Sequence, residues 1–126
     1  MFYTFSTILM SKDDVYRKSN KASEIMLSVK GRKTRKQIPR PVWFSFEGNT
    51  LHLLPVEGSD TQWYNNVLAD PEFKISVDDI EIFTTGKTIA DPARVREIAQ
   101  KFRSKYGEGN IKKYYPKINV AVEVVI

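Results

Sequence analysis

The sequence of 126 residues predicts a single α+β domain built mainly from antiparallel strands. Short segments of alternating or β-rich composition recur along the chain, and turn residues separate them. Only two or three segments have helical spacing. An apolar fraction of 41% and an aromatic fraction of 12% are enough for one hydrophobic core. Short antiparallel strands with few helices favour a small barrel or sandwich.

The individual elements follow from spacing, capping residues and turn residues. Residues 1–22 are predicted to form an N-terminal helical segment that docks on the core or on a partner subunit. Its helix begins after Ser11, which can cap it, and fades near Asn20. The other predicted helices cover Gln62 to Ala69 and a segment that begins at Asp91-Pro92 and ends at Tyr106-Gly107. The predicted strands cover 24–29, 41–47, 50–54, 73–77, 80–89 and 118–126.

Composition excludes several kinds of active site. The chain has no cysteine, which excludes disulfides, thiolate metal sites and a cysteine nucleophile. Its one histidine, His52, is predicted to be a solvent-facing strand residue between apolar neighbours. No metal site is predicted. There is no apolar run of membrane-spanning length and no charged region before the apolar start, so we expect a cytoplasmic protein. An enzyme of this composition would take its chemistry from a cofactor.

The positive charge of the chain is concentrated in one loop. Positions 30 to 40 hold six of the 20 basic residues and none of the 15 acidic ones. They are Lys30, Arg32, Lys33, Arg35, Lys36 and Arg40. The aromatic strand of Trp43 and Phe44 follows at once, which suggests a ligand with one charged end and one flat end. From the residues alone, the loop could hold cofactor phosphates, a nucleic-acid backbone, or no ligand at all.

A second segment runs from Leu54 to Asn66 and joins a strand end, a glycine-bearing loop and a helix start. Its backbone amides, with the hydroxyls of Ser59 and Thr61, could form an anion pocket. Asp60 would compete for the same amides. The alternative is an ordinary helix cap, made by Ser59 or Asp60, with Trp63 and Tyr64 packed on the core.

These segments together resemble the flavin/deazaflavin-binding split β-barrel superfamily, and in particular its deazaflavin-dependent nitroreductase-type branch, relatives of pyridoxamine-phosphate oxidase. The resemblance covers about residues 24 to 107. It is carried by Gly31 to Lys36, Pro41 to Phe44, Glu47-Gly48 and Gly58 to Pro71. The most specific part is the Trp63-Tyr64 helix, which ends at Asp70-Pro71 after the Gly58-Ser59 loop.

The resemblance implies a six-stranded split β-barrel with two or three flanking helices and a cofactor groove. The implied cofactor is the deazaflavin coenzyme F-420 or FMN. The residues matched to cofactor-binding positions are Arg32, Lys33, Arg35, Lys36, Pro41, Val42, Trp43, Gly58, Ser59, Trp63, Tyr64 and Asn65. Many deazaflavin-binding members have an arginine where this chain has Ile38, and Arg40 is predicted to point to the same strand face. The acids Glu57 and Asp60 near the expected phosphate leave the identity of the cofactor open.

The predicted function is an oxidoreductase that passes a hydride from the reduced cofactor to a small flat acceptor, such as a quinone or a nitroaromatic. Tyr114 and Tyr115 are the candidate catalytic residues, as donors of a proton or hydrogen bond, although both could simply be packing aromatics. A non-catalytic module that carries a flavin-like or haem-like ligand is the alternative. A nucleic-acid-binding protein that uses the basic loop is a third hypothesis. A homodimer is also expected from the resemblance.

Overall fold

The structure is a computed structural model, and it describes residues 24–31, 36–77 and 80–125. The predicted N-terminal helical segment, the basic positions 32–35 and the Asp78-Asp79 turn lie outside the described residues. The helices are α1 (Gln62–Ala69), α2 (Pro92–Tyr106) and α3 (Glu108–Tyr114). The strands are β1 (Ile25–Lys30), β2 (Gln37–Val42), β3 (Phe44–Glu47), β4 (Thr50–Leu53), β5 (Glu72–Val77), β6 (Ile80–Thr85), β7 (Lys87–Ile89) and β8 (Ala121–Val125).

The strands form two antiparallel sheets of four. The first sheet has the order β2-β1-β5-β6 and the second has the order β3-β4-β8-β7. The chain passes between the sheets at two places, Trp43 between β2 and β3 and Gly86 between β6 and β7. Trp43 lies in the predicted strand 41–47 and Gly86 in the predicted strand 80–89, and at each place a bend moves the chain from one sheet into the other. Strand β2 begins at Gln37, within the segment that was predicted to be the basic loop.

This arrangement corrects the predicted architecture in one respect. The α+β class and the antiparallel strands are confirmed, and three α-helices are present in the described part of the chain. The predicted six-stranded barrel is instead two four-stranded sheets. Six chain segments do supply the strands, but two of them bend and so contribute to both sheets.

Two apolar clusters fill the molecule. One lies between the sheets and contains Leu27, Phe44, Phe73 and Ile75. The other lies under α2 and α3 against the second sheet. Helix α2 begins as its sequence predicts, because Asp91 caps it by accepting a hydrogen bond from the Arg94 amide, with proline at the first turn. Its predicted core residues are all buried: Val95, Ile98, Ala99 and Phe102.

Gly86 makes the second corner possible. A Cβ atom at this position would lie 2.5 Å from the Phe73 ring and 2.9 Å from Val122 Cγ1. Any side chain there would push the two sheets apart, so the sharp passage from β6 to β7 depends on glycine. No helix in the described part of the chain is long and apolar enough to cross a membrane.

Candidate functional site

An aromatic cavity of about 280 Å³ opens where β2 ends and the chain turns into the second sheet. Nine residues line it: Glu24, Pro41, Val42, Trp43, Leu54, Val56, Trp63, Tyr114 and Tyr115. Six of them were singled out from the sequence, namely Pro41, Val42, Trp43, Trp63, Tyr114 and Tyr115. The fold thus brings these six residues, which are up to 74 positions apart in the sequence, into one site.

Trp43 forms the best-defined wall of this cavity. Its ring stacks on Tyr106 with centroids 4.2 Å apart and planes only 8° from parallel. The Tyr106 hydroxyl donates to the Phe44 carbonyl and accepts from the Phe44 amide, each at 3.1 Å. Tyr114 meets the Trp43 ring edge-on at 5.7 Å. Because α2 and α3 hold Trp43 through these contacts, its ring presents a fixed flat surface.

The two candidate catalytic tyrosines occupy different environments within the cavity. Tyr114 is 48% exposed, whereas Tyr115 is 7% exposed and packs against Trp43 and Phe102. Burial, with a smaller contribution from Tyr106, raises the pKa of Tyr115 above its ordinary value. Tyr115, which lines the cavity, is therefore a neutral phenol at neutral pH, and a neutral phenol can donate a hydrogen bond.

Arg40 lies on the strand face that leads into the cavity. In the β1–β2 register Leu27 pairs with Arg40 and Ile25 pairs with Val42, and both β1 partners are core residues. Side chains two residues apart share a face, so Arg40 and Val42 point to the same side of the sheet. Arg40 is half-buried on β2, the edge strand of its sheet, two residues before Val42, which lines the cavity.

The described ends of the basic loop, Lys30 and Lys36, lie at the far end of the same hairpin. Lys30 pairs with Gln37, and the Gly31 amide donates to the Lys36 carbonyl at 2.8 Å. Five residue steps separate Gln37 from Val42, which is about 17 Å of extended strand. Lys36 is exposed, and Arg32, Lys33 and Arg35 lie outside the described residues. The Gly58 segment adjoins the aromatic cavity, since Val56 and Trp63, which flank it in the sequence, line that cavity.

The amides of the Gly58 segment already have acceptors. The Glu57 amide donates to Thr61 Oγ1, Gly58 to the Pro55 carbonyl, Asp60 to the Glu57 carbonyl, and Thr61 to the Gly58 carbonyl. These bonds close a 3-10 turn over Gly58–Asp60. The predicted anion pocket would therefore have to displace existing bonds.

Two asparagines fix the same turn. Asn119 accepts from the Ser59 amide at 2.9 Å and donates to the Ser59 hydroxyl at 3.0 Å. Asn65 donates from its amide to the carbonyls of Ser59 and Thr61. Gly58 has a φ of +56°, and a Cβ there would collide with Asn119. The turn is thus a rigid support for the helix that carries Trp63, and the direct contact of Gly58, Ser59 and Asn65 with a cofactor stays a prediction.

The remaining features of this segment differ from their predictions in detail. Helix α1 has the predicted bounds, but the residue before it is Thr61, and neither Ser59 nor Asp60 caps it. Tyr64 is buried in the core at 5% exposure, away from the cavity lining. Asp60 forms an exposed ion pair with Lys117 at 2.8 Å, so the acid expected near a phosphate is partly neutralised by a lysine.

His52 is not solvent-facing, and this prediction is wrong. The residue is completely buried, because α2 covers the face of the second sheet that the alternation assigned to solvent. Its Nε2 lies 3.2 Å from Glu123 Oε2 and 3.3 Å from Arg94 Nη2. Arg94 also donates to Glu47 at 3.3 Å. This polar cluster anchors α2 to the sheet and lines neither the aromatic cavity nor the hairpin end.

A second cavity, of about 340 Å³, lies near the described ends of the basic loop. Lys30, Gln37, Phe83 and Thr85 line it, together with the acids Asp70 and Glu72. Phe83 is 73% exposed. No motif in the sequence predicts this cavity, whose lining residues come from four separate segments.

Comparisons with known proteins agree with this architecture. A family model described as "Uncharacterized protein conserved in bacteria (DUF2255)" matches residues 16–123. A comparison with curated proteins gives no match.

Solved structures resemble the chain over most of its length. The F420-H2-dependent reductase FDR-A is 16% identical with a TM-score of 0.59, covering 81% of this chain and 93% of its own. A Clostridium acetobutylicum protein of the pyridoxinephosphate oxidase family, related to general stress protein 26 of B. subtilis, is 9% identical with a TM-score of 0.64, covering 90% and 82%. The heme storage protein HutZ from Vibrio cholerae is 7% identical with a TM-score of 0.66, covering 90% and 87%. The fold is therefore the pyridoxamine-phosphate-oxidase-like one, and the resemblance seen in the sequence is confirmed at the level of fold.

Proposed function

Because the chain belongs to the DUF2255 family of proteins conserved in bacteria, and because its fold is shared with a deazaflavin-dependent reductase, we propose that it is a flavin- or deazaflavin-dependent oxidoreductase. The reduced cofactor would supply a hydride to a small flat acceptor of the quinone or nitroaromatic type. The observation that carries this proposal is the aromatic cavity at the end of β2, with Arg40 on the adjoining strand face.

The size and lining of the cavity fit a planar ring. Its walls are the rings of Trp43, Trp63 and Tyr115, with Pro41 and Val42 contributing strand backbone on one side. Fused aromatic ligands bind in clefts of this kind because they bury apolar area and gain offset stacking against aromatic side chains. The stack of Trp43 on Tyr106 holds the wall in place before any ligand arrives.

The anionic tail of the cofactor would run along β2 toward the basic loop. Arg40 is the first cation on that route, and Lys36 lies near the far end. Arg32, Lys33 and Arg35 are proposed as further phosphate partners at that end. An extended cofactor with a flat head and an anionic tail suits the separation of about 17 Å along an extended strand. A compact ligand would reach only one of the two features.

The main role of the protein in this reaction is to position the reactants. A flavin-type cofactor supplies the hydride chemistry when it is bound, and the chain must orient the acceptor and exclude water. Reduction of a quinone or nitro group puts negative charge on an acceptor oxygen. We assign the neutral phenol of Tyr115 as the hydrogen-bond donor to that oxygen, with exposed Tyr114 at the entrance.

An activity assay tests this proposal. Reduced FMN and reduced F-420 are each mixed with the protein and a quinone or nitroaromatic acceptor, and reoxidation is followed by absorbance. We expect turnover with one cofactor, and a fall of about 10-fold or more in Tyr115→Phe, since a lost transition-state hydrogen bond costs at least that much. Tyr114→Phe is the matched control and should retain most of the activity. Equal turnover by Tyr115→Phe and the wild type would remove Tyr115 from the mechanism.

A non-catalytic binding module is the second candidate, and the likeness to the heme storage protein HutZ favours it. The same flat cavity would then hold a ligand without turnover. Saturating binding of a cofactor, combined with no reoxidation by any of the acceptors, would select this alternative over the reductase.

A further inference from the structure

A groove of about 490 Å³ lies between the edge strand β3 and helix α2. It is lined by Ser45, Phe46, Gln100, Lys101, Ser104 and Lys105. None of these residues lines the aromatic cavity or the cavity near the basic loop. The polar residues of α2 in this groove are two pairs four residues apart, so they lie side by side on one face of the helix.

The floor of the groove contains a buried hydroxyl group without a partner. Ser45 is 4% exposed, and its Oγ makes no hydrogen bond within the part of the chain that the structure describes. His52 stands directly opposite Ser45 in the β3–β4 register, and its buried Nδ1 is likewise unpartnered among the described residues. Buried polar atoms normally have partners, so an unpartnered hydroxyl in the lining of a groove is a candidate contact for a polar ligand.

The wall of the groove supplies positive charge. Lys101 and Lys105 both line it. The Lys105 ammonium donates to the Phe44 carbonyl at 3.0 Å and lies 3.4 Å from the centre of the Phe44 ring. Burial lowers the pKa of Lys105 to about 8, so it is mostly charged at neutral pH. Glu47, on the same strand face, pairs with Arg94 and also lies within electrostatic range of Lys101, but it does not line the groove.

We propose that this groove binds a small oxyanion, a carboxylate or phosphate group, with Lys101 and Lys105 as its charged partners and Ser45 as a hydroxyl donor. Lysine ammonium groups and hydroxyls are common partners of such anions. The volume exceeds that of a bare ion, so the anion would be the head of a small organic molecule. The site is separate from the proposed cofactor and does not depend on it.

Titration of the full chain with inorganic phosphate, and separately with acetate, tests the proposal by two-dimensional amide NMR at constant ionic strength. We expect saturable shifts at Ser45, Lys101 and Ser104 with at least one of the two anions. Lys101→Gln should weaken this binding about 10-fold, and Ser45→Ala should also weaken it. The melting temperature of each variant checks that the fold is intact.

Two control variants test whether the anion binds at the groove. Lys36→Gln removes a cation at the basic hairpin, and Lys112→Gln removes an exposed cation on α3; both should leave the groove affinity unchanged. The proposal is overturned if neither anion gives saturable shifts at the groove. It is equally overturned if folded Lys101→Gln binds as well as the wild type.

Discussion

His52 is a buried histidine held between an arginine and a carboxylate. Its ring nitrogen contacts both Arg94 and Glu123, and no part of the residue reaches solvent. Burial is the largest cause of its lowered pKa, and Arg94 lowers it further, while the hydrogen bond to the Glu123 carboxylate opposes the shift. The folded protein therefore favours the neutral form of the His52 imidazole.

A loss of stability below about pH 6.5 follows from this shift. The unfolded chain binds the histidine proton near its ordinary pKa of 6.5, whereas the folded chain binds it only at lower pH. As the pH falls from 6.5 toward 5, the unfolded state holds more protons, so the free energy of unfolding decreases, by at most about 1.4 kcal/mol per pH unit. Urea unfolding at pH 7.5, 6.5 and 5.5 measures the slope.

The matched variant is His52→Gln. Its free energy of unfolding should change little between pH 7.5 and 5.5, because carboxylates titrate mainly below this range. The chain has one histidine, so its NMR titration in the folded state is unambiguous. A folded-state midpoint at or above 6.5, or an unchanged slope in His52→Gln, would refute this assignment.

At the scale of elements, the two corners decide the shape of the molecule. Trp43 and Gly86 each lie where one continuous segment leaves the first sheet and enters the second. Trp43 lines the aromatic cavity, while Gly86 leaves room for the Phe73 ring. One corner thus builds the candidate site, and the other permits the two sheets to close on their shared core.

Gly86→Ala should destabilise the fold by about 1 to 3 kcal/mol, because the new methyl group overlaps Phe73 and Val122 in a packed core. Gly109→Ala is the control, since nothing lies within 4 Å of a Cβ there and α3 gains helix propensity. The midpoint of denaturant unfolding measures both. Equal stability of Gly86→Ala and the wild type would mean that the corner tolerates a side chain.

Local signals predict some of these elements and not others. The Thr61–Pro71 segment predicts α1 to its exact bounds, because helix spacing and the Asp70-Pro71 stop agree. Helix α3 was not predicted, since Glu108-Gly109-Asn110 has the composition of a loop and the helix is stabilised by burial of Ile111. His52 was misplaced for a related reason: strand alternation identifies two faces, but only the tertiary position of α2 decides that both are covered.

At the scale of the whole molecule, Lys30 and Lys36 lie at one end of the β1–β2 hairpin and the aromatic cavity lies at the other. The sequence places the cations next to Trp43 along the chain, which suggests a single compact site. The register places the described ends of the basic loop about 17 Å away along extended strand. A single ligand that contacts both the aromatic cavity and the described ends of the basic loop must therefore be long. This follows from the pairing of the strands and could not be predicted from proximity in the sequence.

Binding of the cofactor ring in the aromatic cavity is tested most directly by titration of the protein with oxidised FMN and with F-420. Cofactor fluorescence measures the binding. Trp43→Ala removes the wall of the aromatic cavity, and Phe83→Ala removes the exposed aromatic of the cavity near the basic loop. We predict that the dissociation constant of the bound cofactor rises about 10-fold or more in Trp43→Ala, from lost stacking and apolar burial, and is unchanged in Phe83→Ala. Weakened binding in Phe83→Ala with unchanged binding in folded Trp43→Ala would contradict the account.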